Sequence, residues 1–415
     1  MKALGVKLSV VCLLAITGCT PPPPPPPPPP TGSSVGSWSS YRGNAQNTGS
    51  LLAATNEVAV ANPNGQMAWK HDATMGGSHP ITGPDGTVYA ASYDGTLFAL
   101  DPATGTQKWA FSTTGDPYYP AYGPSPVLAS DGTLYFGSLG GELYALDSAT
   151  GEKKWQAAFT AGLYTSAALG ENGFLYLGDF SGSFYAVNGS TGQVSWHQVL
   201  GDSISAAPAL SLDGKTAYFG TIGGTFYALN TSNGVARWSR TVDGRIFDSA
   251  TVGPDGTVYF GIDQSKYNGP GLPNTYDGTV YALDGATGNV KWQFAAGAPV
   301  TQALALAGDG TVYVPVDDGK FYALDGSTGA KKWELLTIVN AVSTPAAVGA
   351  DGTVYFSNQG DVLALDPSTG SSKWSWRFPD FGSTPGGSGG GNSAPTLGGD
   401  GKLYVWGVNT LYAVP

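Results

Sequence analysis

From residue 66 onward, short runs in which apolar and polar residues alternate follow one another in a fixed order, each closed by a two-residue turn signal. One unit reads Asp131-Gly-Thr-Leu-Tyr-Phe-Gly-Ser, then Gly140-Gly-Glu-Leu-Tyr-Ala-Leu-Asp147, then Ser-Ala-Thr-Gly151 and Glu-Lys-Lys-Trp155. A period of two residues places alternate side chains on opposite faces, and Asp-Gly, Gly-Gly or Thr-Gly between such runs marks antiparallel hairpins. Each unit therefore predicts four strands: A just before Asp-Gly, B over Leu-Tyr-Phe-Gly, C over Tyr-Ala-Leu-Asp, and D around the tryptophan.

Further copies end at Trp109, Trp196, Trp238, Trp292, Trp333 and Trp374, giving a repeat of about 41 residues, the length of one propeller blade. Seven complete copies precede an incomplete one, in which Asp400-Gly-Lys-Leu-Tyr-Val-Trp406 and Thr410-Leu-Tyr-Ala-Val414 supply strands B and C. The missing strand D is found at the other end, in Gln66-Met-Ala-Trp69-Lys. The expected fold is all-β: an eight-bladed β-propeller of four-stranded blades, the last closed by the N-terminal strand, spanning 66–415. Closure in one sheet removes the edges an open array would expose.

The repeat lengths vary in an informative way. The Asp or Asn that ends strand C always stands eight residues before the next Trp, as in Asp101 to Trp109 and Asn188 to Trp196. In contrast, Trp109 to Asp131 is 22 and Trp374 to Asp400 is 26 where other blades give 16 to 18, and Asp255 to Asp284 is 29 where others give 15 to 17. These insertions fall in D–A and B–C connections, which share one face of an up-and-down blade. They carry Tyr118, Tyr119, Tyr122, Tyr267, Tyr276, Trp376 and Phe381, and aromatic residues of this kind are enriched where proteins bind one another. These seven are the candidate partner-binding residues.

Candidates for chemistry are few. The recurring acids Asp101, Asp147, Asp284, Asp325 and Asp366 alternate with Asn188 and Asn230, and what Asp and Asn share is the capacity to cap a turn. The eight repeat tryptophans are expected between blades, leaving Trp38, Trp376 and Trp406 for other roles. His71, His79 and His197 stand in no metal-ligand spacing, although the first two share one inter-blade segment. Asp263, Asn268, Asn274 and Asp277 lack the spacing of a calcium loop. No catalytic residue, metal or cofactor is expected.

The first residues change the picture of location. Lys2 and Lys7 precede an apolar run from Leu8 to Ile16, too short to span a bilayer, which predicts an export signal over 1–18. Its end, Ile16-Thr17-Gly18-Cys19, resembles the lipobox of bacterial lipoproteins, which implies lipidation at Cys19. Pro21 to Pro30 predicts a polyproline II spacer about 30 Å long within 19–32, followed by a lead-in segment over 33–65. Without Lys2 and Lys7 the chain keeps 17 basic against 30 acidic residues, a net charge of −13, which argues against a nucleic-acid partner.

The element Ala-Leu-Asp-x-x-Thr-Gly-x-x-x-Trp resembles the PQQ-type propeller repeat of quinoprotein dehydrogenases and of the BamB-like outer-membrane assembly lipoproteins. Trp38-Ser-Ser-Tyr-Arg-Gly-Asn-Ala-Gln-Asn-Thr-Gly49 is similar to a motif that opens propellers of that superfamily. The BamB resemblance implies a monomeric scaffold, anchored by lipid to the periplasmic side of the outer membrane, that binds envelope or outer-membrane assembly proteins. Thr20, which is not the Asp of inner-membrane retention, fits that location. The quinoprotein resemblance implies instead a quinone- or sugar-binding propeller or oxidoreductase, but the vicinal disulfide, calcium ligands and base of those enzymes have no counterpart in this sequence.

Overall fold

A computed structural model describes residues 41–48, 60–61, 63–74, 76–113, 124–268, 274–337, 344–358, 360–380 and 393–415. The signal, Cys19, the proline run and Trp38 lie outside them. Eight four-stranded antiparallel sheets follow in chain order, beginning with strands Ile81–Thr82, Val88–Ala91, Thr96–Leu100 and Gln107–Ser112 of blade 1. In blade 8, Thr396–Leu397, Leu403–Trp406 and Thr410–Val414 are completed by Trp69–Asp72, with Trp69 opposite Ala413 and Asp72 opposite Thr410. The N-terminal strand thus closes the ring, as the sequence predicts.

Within a blade, strands B and C are buried along almost their whole length, while strand D alternates exposed and covered positions. The short A strands of neighbouring blades touch one another, so A is innermost and D outermost. In all seven complete blades the C–D ladder slips by one residue at the Ala-Leu (Ala-Val in blade 3) before the turn, a bulge that steepens the local twist.

The turn that follows explains the repeat signature. In blade 2, Asp147 Oδ1 accepts the N–H groups of Ala149 (3.0 Å) and Thr150 (3.1 Å), and Asn188 does the same for Ser190 and Thr191 in blade 3. The recurring acids are turn caps. Each turn also receives the tryptophan of the preceding blade: Trp109 Nε1 donates to Ser148 O at 3.0 Å and Trp238 Nε1 to Gly285 O at 2.9 Å. The strand-B tyrosine of that preceding blade donates to the same carbonyl, Tyr89 to Ser148 O and Tyr218 to Gly285 O. Glycine ends the turn because Gly288 has φ 73° and a Cβ there would lie 2.7 Å from the Trp238 ring. Ring, hydroxyl and turn interlock, so each blade fixes the register of the next.

The lead-in segment enters this frame. Tyr41–Gly43 forms a single 3-10 turn in which Arg42 takes φ 59°, and residues 42–48 run across the inner rims of blades 4 to 7. Their carbonyls accept strand-A N–H groups that have no other strand beside them: Leu210 N donates to Ala45 O at 2.7 Å, Val252 N to Gln46 O at 2.9 Å and Leu306 N to Thr48 O at 2.8 Å. Arg42 is fully buried and donates to Ala346 O (2.6 Å) and Leu304 O (3.0 Å). The charged fork ties two blades through their backbones.

Candidate functional site

The three long connections do fall between D and A (after Ser112 and after Arg377) and between B and C (Asp263 to Gly278). In the B–C insertion of blade 5 the two flanking strands, Thr257–Asp263 and Gly278–Asp284, are seven residues long and pair along their full length. The ladder continues beyond them. Gln264 N donates to Asp277 O at 2.9 Å, and Lys266 and Thr275 exchange both backbone bonds at 3.0 and 3.1 Å. A side tie joins Arg245 of the preceding connection to Asp263 through two backbone bonds and an ion pair of 2.5 Å. The insertion is therefore a stiff projecting hairpin, at least to Lys266 and Thr275.

On this hairpin Tyr267 is 73% exposed and Tyr276 63%, and Asn274 Nδ2 donates to the Tyr276 hydroxyl at 3.4 Å. Tyr118, Tyr119, Tyr122 and Phe381 lie outside the described residues. Trp376 must be moved from the surface to the core: it sits in strand D of blade 7, is 1% exposed, and packs edge-on against Phe378 and Tyr412. The count from the repeat tryptophan put it next to the long connection, whereas the period of two puts it two positions after Trp374, on the same inward face. Trp406 is likewise buried, with its ring against Gly77.

On the same face the mouth of the central channel widens into a cavity of about 530 Å³. Its wall is built from the residues that lead into strand A of blades 1 to 6, and its rim from the B–C turns. Ser78, Ser125, Thr165, Ser166 and Ser249 lie in its wall, with Tyr93, Tyr164, Phe180 and Phe247 also lining it. Thr165 Oγ1 donates to Gly178 O, and Ser166 Oγ accepts the N–H of Ser125 at 2.8 Å. The buried Oγ atoms of Ser78, Ser125 and Ser249 have no hydrogen-bond partner among the described residues.

Two titratable groups stand in the wall. Asp248 holds its carboxylate against two backbone donors, Ser249 N at 2.6 Å and Ala303 N at 2.8 Å. Burial, with the Arg42 charge behind it, pushes the His79 imidazole down to about 3, so the ring is neutral at any physiological pH. Just outside, Thr301 donates to Asp317 at 2.8 Å, and burial raises that carboxyl to about 6. Nothing in the repeat signature pointed to this ring of small polar residues. A signal was nevertheless present, since Thr165-Ser and Asp248-Ser stand at equivalent places, three and two residues before the start of strand A.

The histidines do not form a site together: His71 lies in the closing strand with its ring 4.9 Å from Phe98, while His197 stacks on Tyr185 in blade 3. Among the described residues no group of three His, Cys, Asp or Glu is placed to hold a metal. Asp263 and Asp277, considered above with calcium, bind Arg245 and the N–H of Gly278.

A family model described as outer membrane protein assembly factor BamB matches residues 54–119, 120–252 and 249–414. No curated protein matches the chain. Among solved structures, BamB from Moraxella catarrhalis is similar over 86% of this chain and 98% of that one, at 18% identity and a TM-score of 0.63. The quinohemoprotein alcohol dehydrogenase ADHIIG from Pseudomonas putida HK5 is similar over 92% of this chain and 80% of that one, at 15% identity and a TM-score of 0.68. At such identities the two likenesses are likenesses of fold.

Proposed function

The chain belongs to the family of outer membrane protein assembly factor BamB, and on that premise we propose that it is a membrane-tethered scaffold that holds an outer-membrane assembly protein against the face of its long connections. The observation that carries this reading is the projecting hairpin of blade 5. Its backbone is laddered to Lys266 and Thr275, and it presents Tyr267 and Tyr276 in the open. Ordering a binding loop in advance lowers the entropy lost on association, and exposed tyrosines supply large contact area with few rotors to freeze. Cys19 is the proposed lipid attachment point, and the polyproline run the spacer that holds the propeller off the membrane.

Replacing either tyrosine by a photo-crosslinking residue tests the reading in envelope preparations. The expected product joins the chain to an outer-membrane assembly protein, and in a parallel pull-down shortening 263–277 to a Gly-Gly turn abolishes capture of that protein. Capture of the same proteins by the shortened, folded variant would place binding elsewhere. Fractionation of Cys19→Ser tests the tether: the variant is expected in the soluble periplasmic fraction, and its retention with membranes would refute lipid attachment.

The fold shared with a quinohemoprotein alcohol dehydrogenase raises a second reading, a quinone-dependent oxidoreductase. The residues around the channel mouth do not fit such a group. Pyrroloquinoline quinone is a polycarboxylate, and transfer of its charges from water needs cationic partners or a bound metal. None of the described lining residues is Lys or Arg, the nearest carboxylate is Asp248, and His79 is neutral. Arg42 lies behind the wall with its terminal nitrogens committed to carbonyls of Ala346 and Leu304.

A further inference from the structure

We propose that the outer strand of blade 3 pairs with the same strand of a second copy of this chain. Blade 3 comprises Ala168–Leu169, Phe174–Gly178, Ser183–Asn188 and Val194–Val199, and its last strand reads Val-Ser-Trp-His-Gln-Val. An outermost strand presents unpaired N–H and C=O groups to any strand that can lie beside it, and proteins guard such edges with charge, above all with lysine. Of the eight outer strands described, this one alone holds no Asp, Glu, Lys or Arg. On it Val194 is 45% exposed and Val199 71%. Leu336 of blade 6 is nearly as open, but shares its strand with Lys331, Lys332 and Glu334.

The departure from the repeat is concerted. In blades 1, 2, 5, 6 and 7 a lysine precedes the strand-D tryptophan. Its ammonium donates to the threonine that leads strand B, as Lys154 does to Thr133 at 2.9 Å, and pairs with a turn aspartate. Blade 3 has Ser195 for the lysine, Phe174 for the threonine, and Asn172 and Asn188 for the aspartates. Donor, acceptor and countercharge are lost together, which leaves this edge uncharged.

Backbone and charge point to self-pairing. Leu200 N donates inward to Gly182 O at 2.8 Å, and Gln198 stands opposite Phe184 in the same ladder. By the two-residue alternation, His197 and Val199 therefore turn their N–H and C=O groups outward. Before them the bulge opposite Ala186 and Val187 breaks the alternation. A two-fold axis through Gln198 sets His197 of each chain opposite Val199 of the other, the register that uses both outward residues of both chains. The chain carries a formal net charge of −11, so two copies repel unless they meet where neither holds a charge. Blade 3 is the outer edge that meets this condition, and a second copy necessarily brings a matching one. So short a contact is smaller than a stable interface, which makes the association weak and concentration-dependent.

The edge uses none of the hairpin residues, so this proposal and the scaffold reading stand or fall separately. Sedimentation velocity of the full chain from about 1 μM to about 1 mM, the span of weak association, is expected to show a shift from monomer to dimer. Val199→Lys is expected to stay monomeric throughout while melting like the wild type, since the side chain it replaces is exposed. Tyr267→Ala/Tyr276→Ala is expected to dimerise as before. Oxidation reads the register, in a chain with Cys12 and Cys19 replaced by Ser. There Gln198→Cys is expected to give a disulfide-linked dimer, because its two Cα atoms lie about 4.5 Å apart in a non-hydrogen-bonded pair. Ser195→Cys is expected to give none, its two copies being about 20 Å apart along the strands. A monomer over the whole range, a dimer that survives Val199→Lys, or equal cross-linking at both positions would each overturn the proposal. So would a monomer in which a photo-crosslinking residue at Val199 captures a different envelope protein, since the edge would then belong to that protein.

Discussion

Removing Thr410 to Pro415 should be far more damaging than the length of the deletion suggests. Those residues form strand C of blade 8, the only strand to which Trp69–Asp72 is paired. Leu411 and Val414 are fully buried and Tyr412 is 2% exposed. At about 1.5–3 kcal/mol for each large apolar side chain, the three together represent about 5–9 kcal/mol, an upper value because unfolded chains already bury part of that surface. Domains as a whole are stable by only about 5–15 kcal/mol. The loss extends past the deleted residues, since the backbone bond of Ala68 to Ala413, which anchors the start of the N-terminal strand, goes with them and leaves the bond of Ala73 to Asn409 to hold its far end. Thermal melting followed by circular dichroism should show a fall of about 7–12 °C, taking about 1.4 °C per kcal/mol for a propeller of roughly 350 residues that unfolds with about 2.1 cal/mol/K of entropy per residue. Trypsin should cut first after Lys70, which becomes part of an unpaired segment. A synthetic peptide covering 409–415 should restore the midpoint in a concentration-dependent way, as any ligand of the native state does. An unchanged midpoint in the truncated chain would refute the shared sheet.

Other expectations are more local. Gly288→Ala combines a left-handed φ with a Cβ 2.7 Å from the Trp238 ring, whereas Gly256→Ala meets only the φ cost, with nothing within 4 Å. Urea titration should find the first variant less stable than the second, which itself loses about 1–2 kcal/mol. Arg42→Ala leaves the carbonyls of Ala346 and Leu304 without their charged donor and should cost about 2–4 kcal/mol, with Arg42→Lys restoring only part of it. Asp255, Asp325 and Asp366 are held down at about 2, chiefly by hydroxyl and amide donors that outweigh burial at Asp255. Their folded values lie below the unfolded one, so their contribution is present above pH 4 and lost as pH falls toward 2. Asp317 has the opposite sign: its folded value of about 6 exceeds the unfolded one, so its charged form disfavours folding above pH 6. Asp317→Asn should therefore raise the unfolding free energy found by urea titration at pH 8 by about 1–3 kcal/mol, and leave it unchanged at pH 3.5.

The propeller was legible because its information is periodic. The invariant eight residues from turn cap to tryptophan fixed the C–D hairpin, and the strand left over at Trp69 matched the strand missing after Val414. What was not legible is aperiodic or requires the third dimension. The lead-in stretch around Arg42 showed only a likeness to a family motif. That its carbonyls supply acceptors for Leu210, Val252 and Leu306 depends on eight inner strands converging, which no local pattern encodes. Trp376 was misplaced for the converse reason: distance from the last repeat landmark outweighed a local alternation that already turned it inward. The cavity was missed because its residues are small, common and spread over six blades, so each looks like a loop serine until the ring brings them together.

The thread through the channel has a mechanical consequence. A ring of wedge-shaped blades joined at their flanks can still distort from round to oval, because each flank can hinge a little without breaking. An inextensible segment bonded to the inner rims of three successive blades, with the Arg42 fork gripping the carbonyls ahead of blades 6 and 7, acts as an axle that shares load among spokes. Tension applied through residues N-terminal to Arg42 would therefore be divided among blades 4 to 7 at the hub, far from the sheet in which the ring is joined.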